Sequence, residues 1–257
     1  MTKKERLAQF FQSDGKTVIL PIDHGAVIPV QGMDSPAKLI RNVKEYVDGF
    51  VVNLGVAAAC EKQLKDTGVC LRIDVYKPDV EEGSYRVYST DEAEAVGAGA
   101  MMHMLYPGHA NEAQITRDCA EAIADGFASE MPTIIEALPV GLGRPEDYTA
   151  TKVGFAVRQA AELGADVVKT AYPTGATVDE FKKIVDACFV PVIVLGGAAM
   201  GDDKALLTMV KNSMDAGAKG LAVGRNVWQH KNPKLIAKKL HAIVHEGATV
   251  QKAMNIR

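Results

Sequence analysis

Ala165-Asp166-Val167-Val168-Lys169-Thr170-Ala171-Tyr172-Pro173 places branched apolar residues beside a lysine and closes on a turn-forming proline. The run reads as a buried strand over 166–171 that the proline bounds. A lysine in such a strand either reaches solvent or a carboxylate at the strand end, or sits desolvated. Desolvation disfavours the ammonium form and lowers the pKa, which fits an amine for imine formation with a carbonyl compound near neutral pH. This stretch alone leaves both readings open.

Outward from it, short β-branched runs alternate with helical stretches along the whole chain. The other expected strands cover 18–23, 49–53, 69–74, 100–105, 133–138, 191–195 and 220–223. Each is nearly continuously apolar, as strands buried on both faces of a parallel sheet are. Amphipathic helices are expected over 37–47, 112–124, 148–163, 178–187 and 204–216. Thr177 with Glu180, and Ser89 with Glu92, have the spacing of capping boxes. Gly49, Gly97, Gly126, Gly164 and Gly217 follow the helical stretches, where a chain must stop and turn. This is a weak repeat of roughly 30 residues, the length of one strand–helix unit. Eight such units in 257 residues predict an α/β fold, a (β/α)8 TIM barrel forming a single domain over 1–257. An open sheet of six or seven strands is the alternative. The segment 77–88, polar and β-prone around Gly83, reads as an excursion or hairpin after the third strand.

Composition narrows the function classes. A net charge of −3 excludes a strongly basic nucleic-acid surface. The N-terminal residues carry Lys3, Lys4, Glu5 and Arg6 with no apolar run behind them, so no signal peptide is expected, and no run approaches membrane-spanning length. Cys60, Cys70, Cys119 and Cys188 are far apart, with no CxxC pair and no interleaved histidine at ligand spacing. They read as reduced thiols of a cytoplasmic protein without a metal site.

In a barrel, chemistry sits at the carboxyl ends of the strands. The first strand closes on Asp23 and His24, the third on Arg72 and Asp74, the fourth on His103 and Tyr106, the fifth on Glu136, and the sixth on Lys169 and Tyr172. Acid, base and amine thus converge on one mouth. Gly196-Gly197 follows the seventh strand and Gly224-Arg225-Asn226 the eighth. Loops after these strands, with glycines that let a backbone come close and a short helix start, commonly bind phosphate, and Arg225 adds a charge-assisted fork.

Together, Ile22-Asp23-His24-Gly25, Gly164-Ala165-Asp166-Val167-Val168-Lys169-Thr170, Gly196-Gly197 and Ala222-Val223-Gly224-Arg225-Asn226-Val227-Trp228-Gln229-His230 resemble the archaeal-type class I fructose-bisphosphate aldolases. They equally resemble the 2-amino-3,7-dideoxy-heptulosonate synthases and the autoinducer-2 phosphate thiolase. The likeness runs in order over about 15–245. It implies a TIM barrel, a Schiff-base lysine at Lys169, a catalytic aspartate at Asp23, a phosphate site at Gly196, Gly197, Gly224 and Arg225, and a large ring, commonly a decamer. One departure stands out. Such aldolases tend to end the fifth strand in Tyr-Pro-Arg-Gly, whose tyrosine shuttles a proton, whereas this chain has Leu138-Pro139-Val140-Gly141.

The sequence therefore predicts a metal-independent class I carbon–carbon lyase of the cytoplasm. It would need no cofactor beyond a covalent lysine imine and would cleave a phosphorylated ketose to dihydroxyacetone phosphate, or a similar ketone, and an aldehyde. The proton carrier is expected to be Glu136, its pKa raised by burial, or else Tyr172, Tyr106 or His103. A Glu136 salt bridge that only positions Lys169 is the other reading of that residue. His24, Arg72 and Lys77 are expected to contact substrate, with Arg144 a further cation for a charged second end. A phosphorylated sugar is the expected partner, with neither nucleic acid nor membrane, and the chain is expected to self-associate. Transaldolase- or thiolase-type transfer by the same lysine, and a catalytically silent sugar-phosphate binder, are the rival functions.

Overall fold

The computed structural model describes residues 1–28, 30–76 and 83–257. Among them lie the strands β1 (Thr17–Pro21), β2 (Gly49–Val52), β3 (Gly68–Arg72), β4 (Asp74–Tyr76), β5 (Ser84–Arg86), β6 (Ala100–Leu105), β7 (Thr133–Ala137), β8 (Val167–Thr170), β9 (Val192–Leu195) and β10 (Gly220–Ala222). The α-helices are α1 (Lys3–Leu7), α2 (Pro36–Val43), α3 (Leu54–Ala59), α4 (Glu61–Leu64), α5 (Thr90–Ala95), α6 (Glu112–Ala128), α7 (Ala150–Leu163), α8 (Val178–Ala187), α9 (Asp203–Asp215), α10 (Arg225–Trp228), α11 (Pro233–His245) and α12 (Val250–Met254). Eight strands pair in parallel in the order β1, β2, β3, β6, β7, β8, β9, β10, and β10 returns to β1 to close a barrel. The open sheet is thereby excluded, and the fold is a (β/α)8 barrel.

Strand alternation sorts the core into two layers. Ile19, Val51, Cys70, Ala100, Met102, Ile134, Val167, Ile193 and Ala222 form one buried cluster inside the barrel. Phe10, from the segment after α1, joins that cluster and plugs the amino-terminal end. The strand starts there must be small: a Cβ on Gly49 or Gly68 would lie 2.7 or 2.5 Å from the Phe10 ring. The opposite strand faces pack against the helices. α11 shows how a helix is specified. Pro233 starts it, the Asn232 side chain accepts from Leu235 N at 3.1 Å, and Ile236, Leu240, Ile243 and Val244 recur on one buried face. Each such side chain contributes about 1.5–3 kcal/mol on burial, so Leu240→Asp would undock the helix.

Both capping boxes form as expected, at Ser89 with Glu92 and at Thr177 with Glu180. Gly164 ends α7 in the left-handed region, at φ 107°. Gly126 instead lies inside α6, which runs on to Ala128. Its missing Cβ makes room for the Met131 carbonyl, which would otherwise lie 2.6 Å away. The excursion after β3 is an antiparallel hairpin, with Asp74 opposite Arg86 and Tyr76 opposite Ser84. Its residues 77–82, including Lys77, lie outside the described residues. No helix among the described residues is long and apolar enough to cross a membrane. The four cysteines are free, and all but the half-buried Cys188 are buried.

Candidate active site

β7 and β8 run in a register that sets Glu136 opposite Lys169. Both residues follow interior positions by two, after Ile134 and Val167, so alternation aims them into the carboxyl end of the barrel. Lys169 Nζ lies 2.8 Å from Glu136 Oε1. The other Glu136 oxygen accepts from Arg72 Nη2 at 2.7 Å. Arg72 also donates through Nε to Asp23 Oδ2 at 2.8 Å and through Nη1 to Asp74 Oδ1 at 3.3 Å. The Tyr76 ring covers its guanidinium at 4.7 Å. Asp74 further accepts from Ser84 Oγ at 2.6 Å and from Met104 N at 3.1 Å. Asp23, Arg72, Glu136 and Lys169 are each at most 4% exposed. Charges buried to this depth persist only when paired and hydrogen-bonded.

Three formal carboxylates face two cations in this layer, which leaves one negative charge in excess. Burial opposes ionisation of Asp23, but the Arg72 guanidinium, then His24 and Lys169, outweigh it and hold the carboxyl well below the usual range. Burial likewise opposes ionisation of Glu136, and Lys169 and Arg72 override it, so this carboxyl too is lowered. The expectation of a Glu136 raised towards neutrality is thereby corrected: two cations, each within 2.8 Å, outweigh desolvation. Burial pushes the Tyr76 and Tyr106 hydroxyls well above the usual tyrosine value, with negative neighbours adding to the effect.

A cleft above this layer is lined by Pro21, His24, Tyr76, Glu136, Leu142, Lys169, Leu195, Gly196, Gly197, Ala222, Gly224 and Arg225. The structure thus brings Lys169, Glu136, His24 and the four expected phosphate residues around one space. Only glycine fits two of these positions: a Cβ on Gly196 would lie 2.5 Å from Val223 Cγ1, and one on Gly224 2.7 Å from the Pro21 carbonyl oxygen. Asn226 staples the two loops, donating to the carbonyls of Gly196 (2.9 Å) and Ala198 (3.0 Å) and accepting from Met200 N (2.8 Å). Arg225 also borders a neighbouring cleft of about 260 Å³ that includes Asp202, Asp203, His230 and Lys231.

Other expected residues lie elsewhere. Arg72 is the buried hub of the charge layer and has no free face for a substrate anion. His103 alternates onto the outer side of β6, where Nδ1 lies 2.6 Å from the Met104 carbonyl, and it does not line the cleft. The Tyr172 hydroxyl donates to the Ala176 carbonyl at 3.2 Å and its ring packs on Phe181 at 4.9 Å, outside the cleft lining. Arg144 is half exposed and pairs with Glu146 and Asp147. Tyr76 has no counterpart in the sequence expectations, where Asp74 stands only as a strand end and Asn226 only as part of a glycine loop. The signal for the first two was the period of two in Arg72, Asp74 and Tyr76, which carries the strand's polar face on into the hairpin.

A closed α/β barrel with a buried lysine–carboxylate pair at the carboxyl ends of its strands defines the site of an α/β-barrel enzyme. A family model described as DeoC/LacD family aldolase matches residues 17–230, and the chain belongs to that family. The 2-amino-3,7-dideoxy-D-threo-hept-6-ulosonate synthase 1 of Archaeoglobus fulgidus is 32% identical, over 99% of this chain and 95% of that protein. A fructose-bisphosphate aldolase class 1 of Halobacterium salinarum is 34% identical, over 94% and 95%. A crystal structure of an archaeal fructose 1,6-bisphosphate aldolase superposes with a TM-score of 0.84 at 29% identity, covering 96% of this chain and all of that one. A Schiff-base-forming fructose-1,6-bisphosphate aldolase, solved with reaction intermediates, matches with the same TM-score and identity. The expectation of a class I, Schiff-base aldolase is met by these relatives.

Proposed function

We propose that this aldolase cleaves a phosphorylated ketose through an imine on Lys169, without a metal. The observation that carries the reading is the 2.8 Å pair of Lys169 Nζ and Glu136 Oε1, buried at the floor of a cleft that also holds Gly196, Gly197, Gly224 and Arg225. A lysine must shed its proton before it attacks a carbonyl, and the Glu136 carboxylate is in contact to take it. Glu136 can return that proton to the carbinolamine oxygen as water leaves. The excess negative charge of the layer favours the protonated imine, which replaces the ammonium charge for charge and draws the electrons of the breaking carbon–carbon bond. Asp23 orients Arg72 and, through it, Glu136. The substrate phosphate lies against the glycines and Arg225.

Gel filtration is expected to show self-association, supported by the exposed rings of Phe127 (76%), Phe155 (59%) and Phe189 (62%). The deciding experiment is borohydride reduction with dihydroxyacetone phosphate and a panel of ketose phosphates, read by peptide mass spectrometry in the presence of chelator. A covalent adduct on Lys169 is expected. An adduct on another lysine, or activity that requires added metal, refutes the reading. Transaldolase- or thiolase-type transfer of a carbon group by the same lysine is the second reading. The synthase named among the relatives supports it, as does the wider cleft beside Arg225.

A further inference from the structure

Cleavage through the Lys169 imine, on which this inference rests, still needs a group that takes the substrate hydroxyl proton and later returns one to carbon. The ionisable side chains lining the cleft, among the described residues, are His24, Tyr76, Glu136, Lys169 and Arg225. Lys169 is consumed by the imine. Both oxygens of Glu136 are engaged, one by Lys169 and one by Arg72. Arg225 does not give up its proton in a protein.

Tyr76 differs from these. Its ring is fixed, 4.7 Å from the Arg72 guanidinium and 6.4 Å from the His24 ring, and the residue is 2% exposed. Its hydroxyl is only loosely held, with Asp23 Oδ2 at 3.4 Å, beyond the usual O–H···O range. We propose that Tyr76 is a catalytic residue that relays the substrate hydroxyl proton to Asp23 and back.

The carbon–carbon bond one carbon removed from the imine carbon breaks, and its electron pair passes to the iminium nitrogen, giving an enamine. The leaving fragment's C–O becomes an aldehyde carbonyl as its hydroxyl proton moves to Tyr76 Oη, while the proton already on Oη moves to Asp23 Oδ2. As the aldehyde departs, Asp23 gives its proton straight back to Oη and the other Oη proton goes to the enamine carbon, restoring the iminium. Water then releases the ketone and frees Lys169.

Neither partner stores charge for long. Burial and nearby carboxylates disfavour a Tyr76 phenolate, and Arg72 makes Asp23 a weak base. A phenol between substrate and carboxylate therefore relays a proton and does not keep one. His24 is the competing carrier: its Nδ1 stands 3.3 Å from Asp23 Oδ1, with no hydrogen bond formed, and its ring also packs at 5.7 Å against Trp228.

Tyr76→Phe removes the hydroxyl and keeps the ring over Arg72. Two half-reactions with dihydroxyacetone phosphate are measured: borohydride trapping of the imine, and exchange of the ketone's α-proton with deuterium oxide. The variant is expected to trap at the wild-type rate, which also reports a folded site, and to lose exchange by about 10²–10⁴-fold. Exchange within roughly threefold of wild type, loss of trapping together with exchange, or loss of exchange in His24→Asn alone would overturn the assignment to Tyr76. Wild-type protein that traps no adduct would refute the imine reading beneath it.

Discussion

Glu136→Gln separates the two jobs that the geometry gives this residue. Glutamine has the same shape but offers one acceptor and one donor where the carboxylate offers two acceptors. Its oxygen can face Lys169 or Arg72, and its NH2 group must then point at the other cation, at a site where both lie within 2.8 Å. Removing one partner of a buried ion pair costs about 3–5 kcal/mol. The charge layer, one negative in excess with Glu136, becomes formally neutral without it, which favours the low end. About 3 kcal/mol lowers the Tm of a chain this size by roughly 6–12 °C. The sign with pH follows from the lowered carboxyl. Its stabilisation is fully present above the unfolded value near 4.5 and is lost as pH falls through the folded value, so the gap between wild type and variant closes on acidification. Catalytically, Lys169 loses its contact base, and borohydride trapping at pH 7 should slow by about 10²–10⁴-fold, recovering as pH rises and hydroxide takes over deprotonation. Stopped-flow trapping and calorimetry read the two effects separately. A variant as stable as wild type that traps at the wild-type rate at pH 7 would show that Glu136 neither holds nor deprotonates the lysine.

Lys169→Arg should abolish trapping and lower turnover by several orders of magnitude with the barrel intact, since a guanidinium keeps the charge but not the nucleophile; residual trapping on the variant would move the imine elsewhere. Arg225→Ala should raise KM by about ten- to a hundredfold for phosphorylated substrates, from roughly 1.5–3 kcal/mol for an arginine–phosphate fork, and change it little for dephosphorylated analogues; equal losses for both would make Arg225 structural. At the other end of the barrel, His245 bridges Asp14 and Asp48 at 3.0 Å each. Burial opposes its charge, but the two carboxylates prevail and raise its pKa, so its stabilisation is complete below about pH 6.5 and lost as pH rises through the folded value. His245→Asn should therefore lower Tm by roughly 2–4 °C at pH 6 and by less at pH 9; an equal loss at both would assign the effect to packing against His241.

The barrel was legible because each of its strands is a short apolar run bounded by turn residues, and the eight runs fall in the order in which they pair. Glycine as a stop signal was less reliable. Gly164 ends a helix, whereas Gly126 serves a close carbonyl approach in mid-helix, and sequence spacing does not distinguish a turn from a near contact. At the site, the convergence of Lys169, Asp23, Glu136 and the glycine loops was legible because strand ends carry barrel chemistry. The contacts of their neighbours were not. Arg72 reads as a free cation until three carboxylates from β1, β3–β4 and β7 are seen to surround it, a convergence created only by closing the sheet. His103 and Tyr172 reach strand ends in sequence but leave the mouth in space, one by alternation and one by packing on α8.

Leu138 occupies the place where the resembling aldolases carry a proton-shuttling tyrosine, and on sequence grounds that kept a silent barrel among the rival readings. The geometry supplies another hydroxyl. Continuation of the polar face of β3 through Asp74 to Tyr76 puts a phenol on the cleft wall, with its ring on the guanidinium that also holds Glu136 in place. Proton handling at the lysine and proton handling at the substrate then sit on different strands, β7 and β4, joined through Arg72. Such a division predicts that the two functions fail separately: Glu136→Gln stops imine formation first, whereas Tyr76→Phe leaves an imine that forms and cannot turn over. A silent binder would show neither failure, because it would form no imine with any ketose phosphate.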